Sequence, residues 1–590
     1  MDKNSALQLL RVPVPTQTQL SMCAPTAKAV SHWLSELPKA NLGETARLLY
    51  QMLLELNQLH LSNEDRLTLL ELIRPEVFSV CRHLERYFLG QAIVLDERAR
   101  KVANLCQALQ NYLSVGYKLI AIRELREPQG NTRLLGLAIE RTLYGLHQIL
   151  LRACQLYHPI PDGLWLELHQ LYQVALREQL MHIAQPEPQS HGQRPLSIEQ
   201  SYMLALLLGC AQTNQIRQAD IANLSEALEH WVELTRLNVG FSGQSLFVLH
   251  PKFDHGPRYR SLQSYPEPDQ QIFLDTSALT QALSDFLKAP TTHTTALYIP
   301  QYFSIDVVTH LAAAWGEIVE RTFPRSPANG LRTVSVGMSA VHYNCAGQRA
   351  FNQLLKANAQ DKPSYQEHER VDIWAKAIDA QNDAWTSAKL EYEEIAFESP
   401  TGTTSDDPTR SSYPSYDVTL INVSSSGYCF AWSEEVPPHL QSGELLGIQE
   451  PDSQGYAIAV VRWVRQIRGG GTHVGVELIA PRAYPCGLKL LRNGDSDSIF
   501  LRTLMLPAVE ALSRPATLIT PRLPFQEGSK VMLNQDGEQS RAVLGQRLAA
   551  TASFSHFQFH KIELSPALTL EPQTGPVVPD DFDTLWQTLS

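Results

Sequence analysis

Apolar residues recur at helical spacing from about Leu42 to Leu237, as in Leu135, Ile139, Leu143, Leu146, Leu150, Cys154 and Tyr157. Steps of three and four residues put such positions on one buried helix face. The pattern predicts an all-α half, either an irregular bundle or a repeat-like array. The stretch from Trp165 to Tyr172 has the texture of a helical repeat, but no fixed period runs through the chain. Ser62-Asn-Glu-Asp65 reads as a helix start, Pro75 as a residue of a first helical turn, and His158-Pro-Ile-Pro-Asp-Gly163 as a break between two helices. The polar run Gln185 to Pro195 is expected to form a surface linker within this half.

After Gly240 the rhythm changes. Ser245–His250 and Gln271–Asp275 are strand-like, and helical stretches follow from about Ser277 to Leu287 and from roughly Ile305 to Glu320, the second running directly into Arg321. This is the pattern of a small α/β connector. From Leu331 onward the apolar period is two: Leu331–His342, Tyr416–Ile421, Tyr456–Val464 and His473–Ile479, with Gly469-Gly-Gly471 as the turn of a hairpin. Short strands at such spacing predict a small antiparallel barrel. The long excursion at about 347–412 reads as an insertion into that barrel. It has helix-like text at Val371–Ile378 and an expected disordered end at Ser399–Pro408. The tail, about 514–564, returns to strand-like runs and predicts another small β module.

The expected fold class is therefore multidomain α+β. It comprises a helical domain at 1–240, an α/β connector at 241–318, a β-barrel with its insertion at 319–495, and a small β-rich module at 496–590. A length of 590 residues agrees, because one hydrophobic core seldom serves so long a chain. With 44% hydrophobic and 19% charged residues, the composition is that of ordinary globular proteins. A net charge of −12 repels nucleic acid polymers and anionic lipid, so any anion site must be a local basic pocket. The eight cysteines form no CxxC pair and read as reduced thiols. The first residues lack the apolar core of a secretory signal and no window is apolar for about 18 residues, so a cytoplasmic protein without membrane insertion is expected.

Two short motifs carry chemistry when taken together. Arg321-Thr-Phe-Pro-Arg325 precedes the first barrel strand, and Asn422-Val-Ser424-Ser-Ser-Gly427 closes the second. The first alone says little, since Arg82-His-Leu-Glu-Arg86 matches it inside an apparent helix. Their order, and the later Val461-Arg-Trp463 and Val474-Gly-Val-Glu-Leu-Ile479 runs, give a sequence that resembles the PilZ family of bacterial cyclic di-GMP-binding domains. The resemblance covers about 320–485. It implies that Arg321, Arg325, Asn422, Ser424 and Gly427 bind cyclic di-GMP. The residue types suit a ligand with two phosphates and flat guanine faces. A guanidinium can fork onto phosphate oxygens or onto guanine O6/N7, and can stack on a base. Asn422 offers a donor and an acceptor, Ser424 a hydroxyl, and Gly427 either an unusual backbone conformation or a close approach that a Cβ would obstruct. Unlike many relatives the segment has no doubled arginine, Val319-Glu320 standing before Arg321.

Enzymatic signatures are missing: there is no HExxH, GxxxxGK(S/T), GxSxG or GGDEF. Glu226-Ala-Leu228 and Glu510-Ala-Leu512 read as ordinary helix, and His342, His473 and His560, in strand-like runs, as structural residues. Cys429 and Trp432 read as barrel packing. No catalysis, metal or cofactor is expected. The resulting reading is a second-messenger receptor that transmits cyclic di-GMP binding to a protein partner through its helical half. The alternative is a ligand-independent adaptor with a degenerate barrel.

Overall fold

The computed structural model describes residues 10, 12–192, 194–240, 245–263, 265, 270–288, 297–301, 303–317, 325–356, 413–424, 426–432, 436–450, 455–491, 498–508 and 515–562. The amphipathic first part folds as helices α1 (Ala27–Ser35), α2 (Leu42–Gln58), α3 (Asn63–Glu85), α4 (Glu97–Arg126), α5 (Thr132–Gln155), α6 (Leu164–Arg177), α7 (Ile198–Cys210) and α8 (Gln218–Trp231). Their starts are chemically marked. Asn41, Ser62, Asp96, Asn131 and Ser197 each accept a first-turn backbone N–H, an interaction worth about 1 kcal/mol per cap. The α6 N-terminus is capped from afar instead: the Asp254 carboxylate accepts the N–H groups of Gly163 (2.6 Å), Trp165 (3.1 Å) and Leu166 (3.3 Å).

One local expectation is corrected here and another refined. Pro75 lies in the interior of α3, not in a first turn. The helix continues through it because Ile73, Val77 and Phe78 on either side are buried, and packing outweighs the lost hydrogen bond. The run Gln185–Pro195 joins α6 to α7 and is mostly exposed, as expected of a linker, but it is pinned inward at buried Glu187 and Ser190. Strands β1 (Ala184–Gln185) and β2 (Leu196–Ser197) pair, and buried Glu187 between them meets Arg74 at 2.6 Å and Arg141 at 3.0 Å. Buried guanidiniums on α3 and α5 require such a counter-charge.

The connector has strands β3 (Arg236–Val239), β4 (Phe247–Leu249), β5 (Arg258–Tyr259) and β6 (Ile272–Asp275), in the order β3-β6-β4-β5. Helices α9 (Ser277–Lys288) and α10 (Ile305–Trp315) follow. Helix α10 ends at Trp315, short of the expected Glu320, with Gly316 as its C-cap. It is anchored on the helical half: Trp315 Nε1 donates to the Leu207 carbonyl at 3.1 Å, its ring meets Trp231 edge-on at 5.9 Å, and the His310 ring contacts the Ala211 carbonyl at 2.9 Å.

The first barrel comprises β7 (Ser326–Pro327), β8 (Leu331–Val336), β9 (Ser415–Ser424), β10 (Gly427–Trp432), β11 (Leu445–Gln449), β12 (Tyr456–Gln466) and β13 (Thr472–Ala480). Strands run in the order β10-β13-β12-β11-β8-β9, a further β9–β10 pairing closes the ring, and β7 extends the β8 side of β9. Between β8 and β9 lie α11 (Met338–Cys345) and α12 (Phe351–Leu355). The strand expected to reach His342 stops at Val336, because Gly337 adopts φ +85° and α11 begins. Its His342 ring contacts the Cys486 carbonyl at 3.1 Å. The expected helix at Val371–Ile378 and the Ser399–Pro408 stretch lie outside the described residues.

The second barrel, β14 (Tyr484–Leu490), β15 (Leu501–Leu506), β16 (Thr517–Pro521), β17 (Lys530–Gln535), β18 (Glu538–Ala550) and β19 (Phe554–Lys561), closes in the order β14-β15-β16-β19-β18-β17. The chain crosses into it between Ala480 and Tyr484, ahead of the boundary expected at 495. One apolar core runs through the helical half, the connector and the first barrel, while the second barrel has its own core around Leu488, Leu518 and Phe557. All eight cysteines are free thiols. Among the described residues no helix is long and apolar enough to cross a membrane.

Candidate functional site on the outer face of the first barrel

Leu420, Phe430, Val474 and Val476 belong to the core inside the first barrel. By strand alternation, Cys429, Gly475 and Glu477 point away from that core; Cys429 and Gly475 are covered there, and Glu477 is exposed. An irregularity opposite Cys429 and Phe430 shifts β9 by one residue, so that Leu420 pairs with Phe430 while Asn422 pairs with Cys429. That shift turns Asn422, and Ser424 two residues later, to the outer face.

Two rows of side chains then cross the strands. In one, Pro327, Asn422, Cys429, Gly475 and Trp463 are successive cross-strand partners. In the other, Ser424 stands across from Gly427 and Gly427 across from Glu477. Ser326 pairs with Val423, and this register continued by one residue sets Arg325 opposite Ser424. At about 4.8 Å per strand, the row from Arg325 to Glu477 spans about 14 Å. Arg325 is exposed. Its charge acts against burial at Cys429, whose thiol is nonetheless pushed up by desolvation, so its field reaches the neighbouring row.

The turn holds itself. Ser424 Oγ donates to the Gly427 carbonyl at 3.2 Å and lies 3.3 Å from Ser426 Oγ. Of the two roles open to Gly427, close approach is the one found: a Cβ there would sit 2.0 Å from the Val476 carbonyl oxygen. Gly475 is similar, since its Cβ would meet Trp463 Nε1 at 1.9 Å, and the indole lies over the glycine.

Arg325, Asn422, Ser424 and Gly427 thus share one outer face, whereas Arg321 lies outside the described residues. Sequence reasoning missed the ion pair of Arg462 Nε with Glu477 Oε2, at 2.5 Å, and the placement of the Trp463 ring. The signal was present in Val474-Gly-Val-Glu477, whose alternation puts Gly475 and Glu477 on the same side as the motif. Among the described residues no group of His, Cys, Asp and Glu has the arrangement of a metal site. The face offers guanidinium, amide, hydroxyl and carboxylate groups beside an aromatic ring, groups that can hydrogen-bond phosphate oxygens and purine edges.

A closed six-stranded barrel, with Arg325 leading into a short strand along its second strand and an Asn-x-Ser-x-x-Gly hairpin beside it, defines a PilZ-domain protein, here joined to a helical half and a second barrel. Residues 246–485 match the family described as "Cyclic-di-GMP receptor FimW, middle PilZ domain", residues 28–242 its N-terminal domain, and residues 486–562 its C-terminal beta-barrel domain. The cyclic-di-GMP receptor FimW of Pseudomonas aeruginosa is 47% identical over 609 aligned positions that cover the whole of both chains. The chain belongs to the FimW family. No solved structure matches it.

Proposed function

We propose that this protein is a cytoplasmic, non-catalytic receptor for cyclic di-GMP. In this reading Arg321 and Arg325 grip phosphate and the guanine O6/N7 edge, Asn422 and Ser424 hydrogen-bond the ligand, and Gly427 keeps the hairpin close to β13. The observation that carries it is the common outer face of Arg325, Asn422, Ser424 and Gly427, supported by the likeness to the cyclic-di-GMP receptor of Pseudomonas aeruginosa. In this reading the receptor has four functional parts: the helices α1–α8, the connector from β3 to α10, the ligand-binding barrel β7–β13 and the second barrel β14–β19.

Binding is passed to a protein partner through the helical half. The route is short, because Arg321 follows α10 in sequence and α10 is hydrogen-bonded to α7 and its C-cap. A ligand drives such a change only by binding two arrangements unequally.

Calorimetry on the full chain tests the reading. Saturable cyclic di-GMP binding is expected, and Arg325→Ala weakens it at least about tenfold, the worth of one charge-assisted contact of about 1.5–3 kcal/mol. No saturable binding at high micromolar ligand would overturn it, and an unchanged affinity in Arg325→Ala would remove that residue from the site.

A further inference from the structure

Glu477 is the anomaly on this face. It stands directly across from Gly427, whose missing Cβ would lie 3.1 Å from the Glu477 Cα. A carboxylate beside a bis-anionic ligand opposes binding. Its exposed ion pair with Arg462 gives the fold little in return, since such pairs contribute about 0–1 kcal/mol. Arg462 occupies the irregularity between Val461 and Trp463, where β12 bulges against β13. Its Nε is taken by Glu477, and a guanidinium has further N–H donors to offer.

Resting on the outer face being the dinucleotide site, we propose that Glu477 and Arg462 together read the Watson–Crick edge of one guanine, and so set the preference for guanine over adenine. Guanine presents two adjacent donors, N1–H and the N2 amino group, next to the O6 acceptor. The Glu477 carboxylate accepts both donors side by side. Arg462, already held by Nε, donates a terminal N–H to O6. The arginine has two tasks: it neutralises the carboxylate against the ligand's phosphates and it completes the three-point match. Adenine inverts the pattern. Its N1 lone pair would face the carboxylate and its amino group would face the guanidinium, so both protein groups would be left unpaired. A site built to hydrogen-bond a substrate group discriminates strongly when that group is absent.

The test is calorimetry on the full chain with cyclic di-GMP, cyclic di-AMP and cyclic di-IMP, the last lacking the N2 amino group. The protein is used as wild type, Glu477→Gln, Glu477→Ala and Arg462→Ala, with thermal unfolding as the folding control. Wild type is expected to prefer cyclic di-GMP over both analogues. Glu477→Gln and Arg462→Ala weaken cyclic di-GMP at least about tenfold while leaving cyclic di-AMP unchanged or tighter, and Glu477→Ala no longer separates cyclic di-GMP from cyclic di-IMP. An intact preference in all three variants overturns the proposal while the site itself stands. So does tighter cyclic di-GMP binding without Glu477, which would mean that the carboxylate only repels. Failure of wild type to bind cyclic di-GMP at all would instead sink the parent reading and this one with it.

Discussion

At Gly427 the hairpin turn and β13 are separated by little more than a hydrogen atom. Adding a methyl group would bring carbon within 2.0 Å of the Val476 carbonyl, and strand backbones cannot rotate away as side chains can. Gly427→Ala is therefore expected to lower stability by about 1–3 kcal/mol, the usual cost of overpacking, and to weaken cyclic di-GMP binding as Ser424 and Glu477 are pushed apart. Denaturant unfolding and calorimetry on the same variant check both; an unaltered unfolding midpoint would show that β13 yields. At this scale the sequence was legible in type but not in cause. The Asn-x-Ser-x-x-Gly spacing marks the hairpin. Whether its glycine serves an unusual φ or a close contact depends on β13, some fifty residues on. Glu477 was invisible as a site residue for the same reason, being brought to Gly427 by pairing alone.

Helix α6 shows what a cap contributes when it comes from another part of the chain. Its first residues have no capping side chain of their own, because Gly163 occupies the N-cap with φ +85°. The carboxylate of Asp254, in the connector, supplies the acceptor for three N–H groups. Asp254→Ala is expected to lower stability by about 1–2 kcal/mol and to raise hydrogen exchange in the first turn of α6, read by mass spectrometry; the same exchange in variant and wild type would assign the cap no role. Elements with a strong local signal were legible: α5 from its apolar stripe, β12 and β13 from alternation around the Gly469–Gly471 turn. Others failed where distant partners decide. Met338–His342 alternates acceptably for a strand, yet becomes helix because Gly337 turns the chain and the second barrel receives His342. The Gln185–Pro195 run lies mostly at the surface as its polarity implies, but the burial of its Glu187 is set by two arginines far away in sequence.

Across the whole molecule, the parts are joined by polar clasps as well as by apolar packing, the second barrel through a cluster in which Leu445 and Val460 meet Leu504 and Ile519. Arg217, before α8, donates to the Ser442 carbonyl at 2.9 Å and to Ser553 Oγ at 2.6 Å, and Ser553 in turn donates to Glu444. The helical half, first barrel and second barrel meet at this one guanidinium. At the tip of the β12–β13 hairpin, the Gln466 N–H donates to the Tyr157 carbonyl at 3.0 Å and its amide to the Ile93 carbonyl at 2.6 Å, while Arg468 pairs with Asp162 at 2.7 Å. Composition and period predicted separate helical and barrel regions; the clasps join residues hundreds of positions apart and left no local trace. If ligand binding is transmitted, cyclic di-GMP is expected to slow amide exchange in Ile305–Trp315 and in Leu156–Asp162. Protection confined to the barrel would leave the receptor reading intact and remove the transmission.

Strand β12 carries Arg462 beside the proposed site and Gln466 at the helical half, four residues apart on one extended backbone. Four residues of strand span about 13 Å, and from Trp463 to Gln466 this stretch is paired residue by residue with β13. A ligand that shifted Arg462 would therefore pull on a backbone whose far end is moored to the Tyr157 and Ile93 carbonyls.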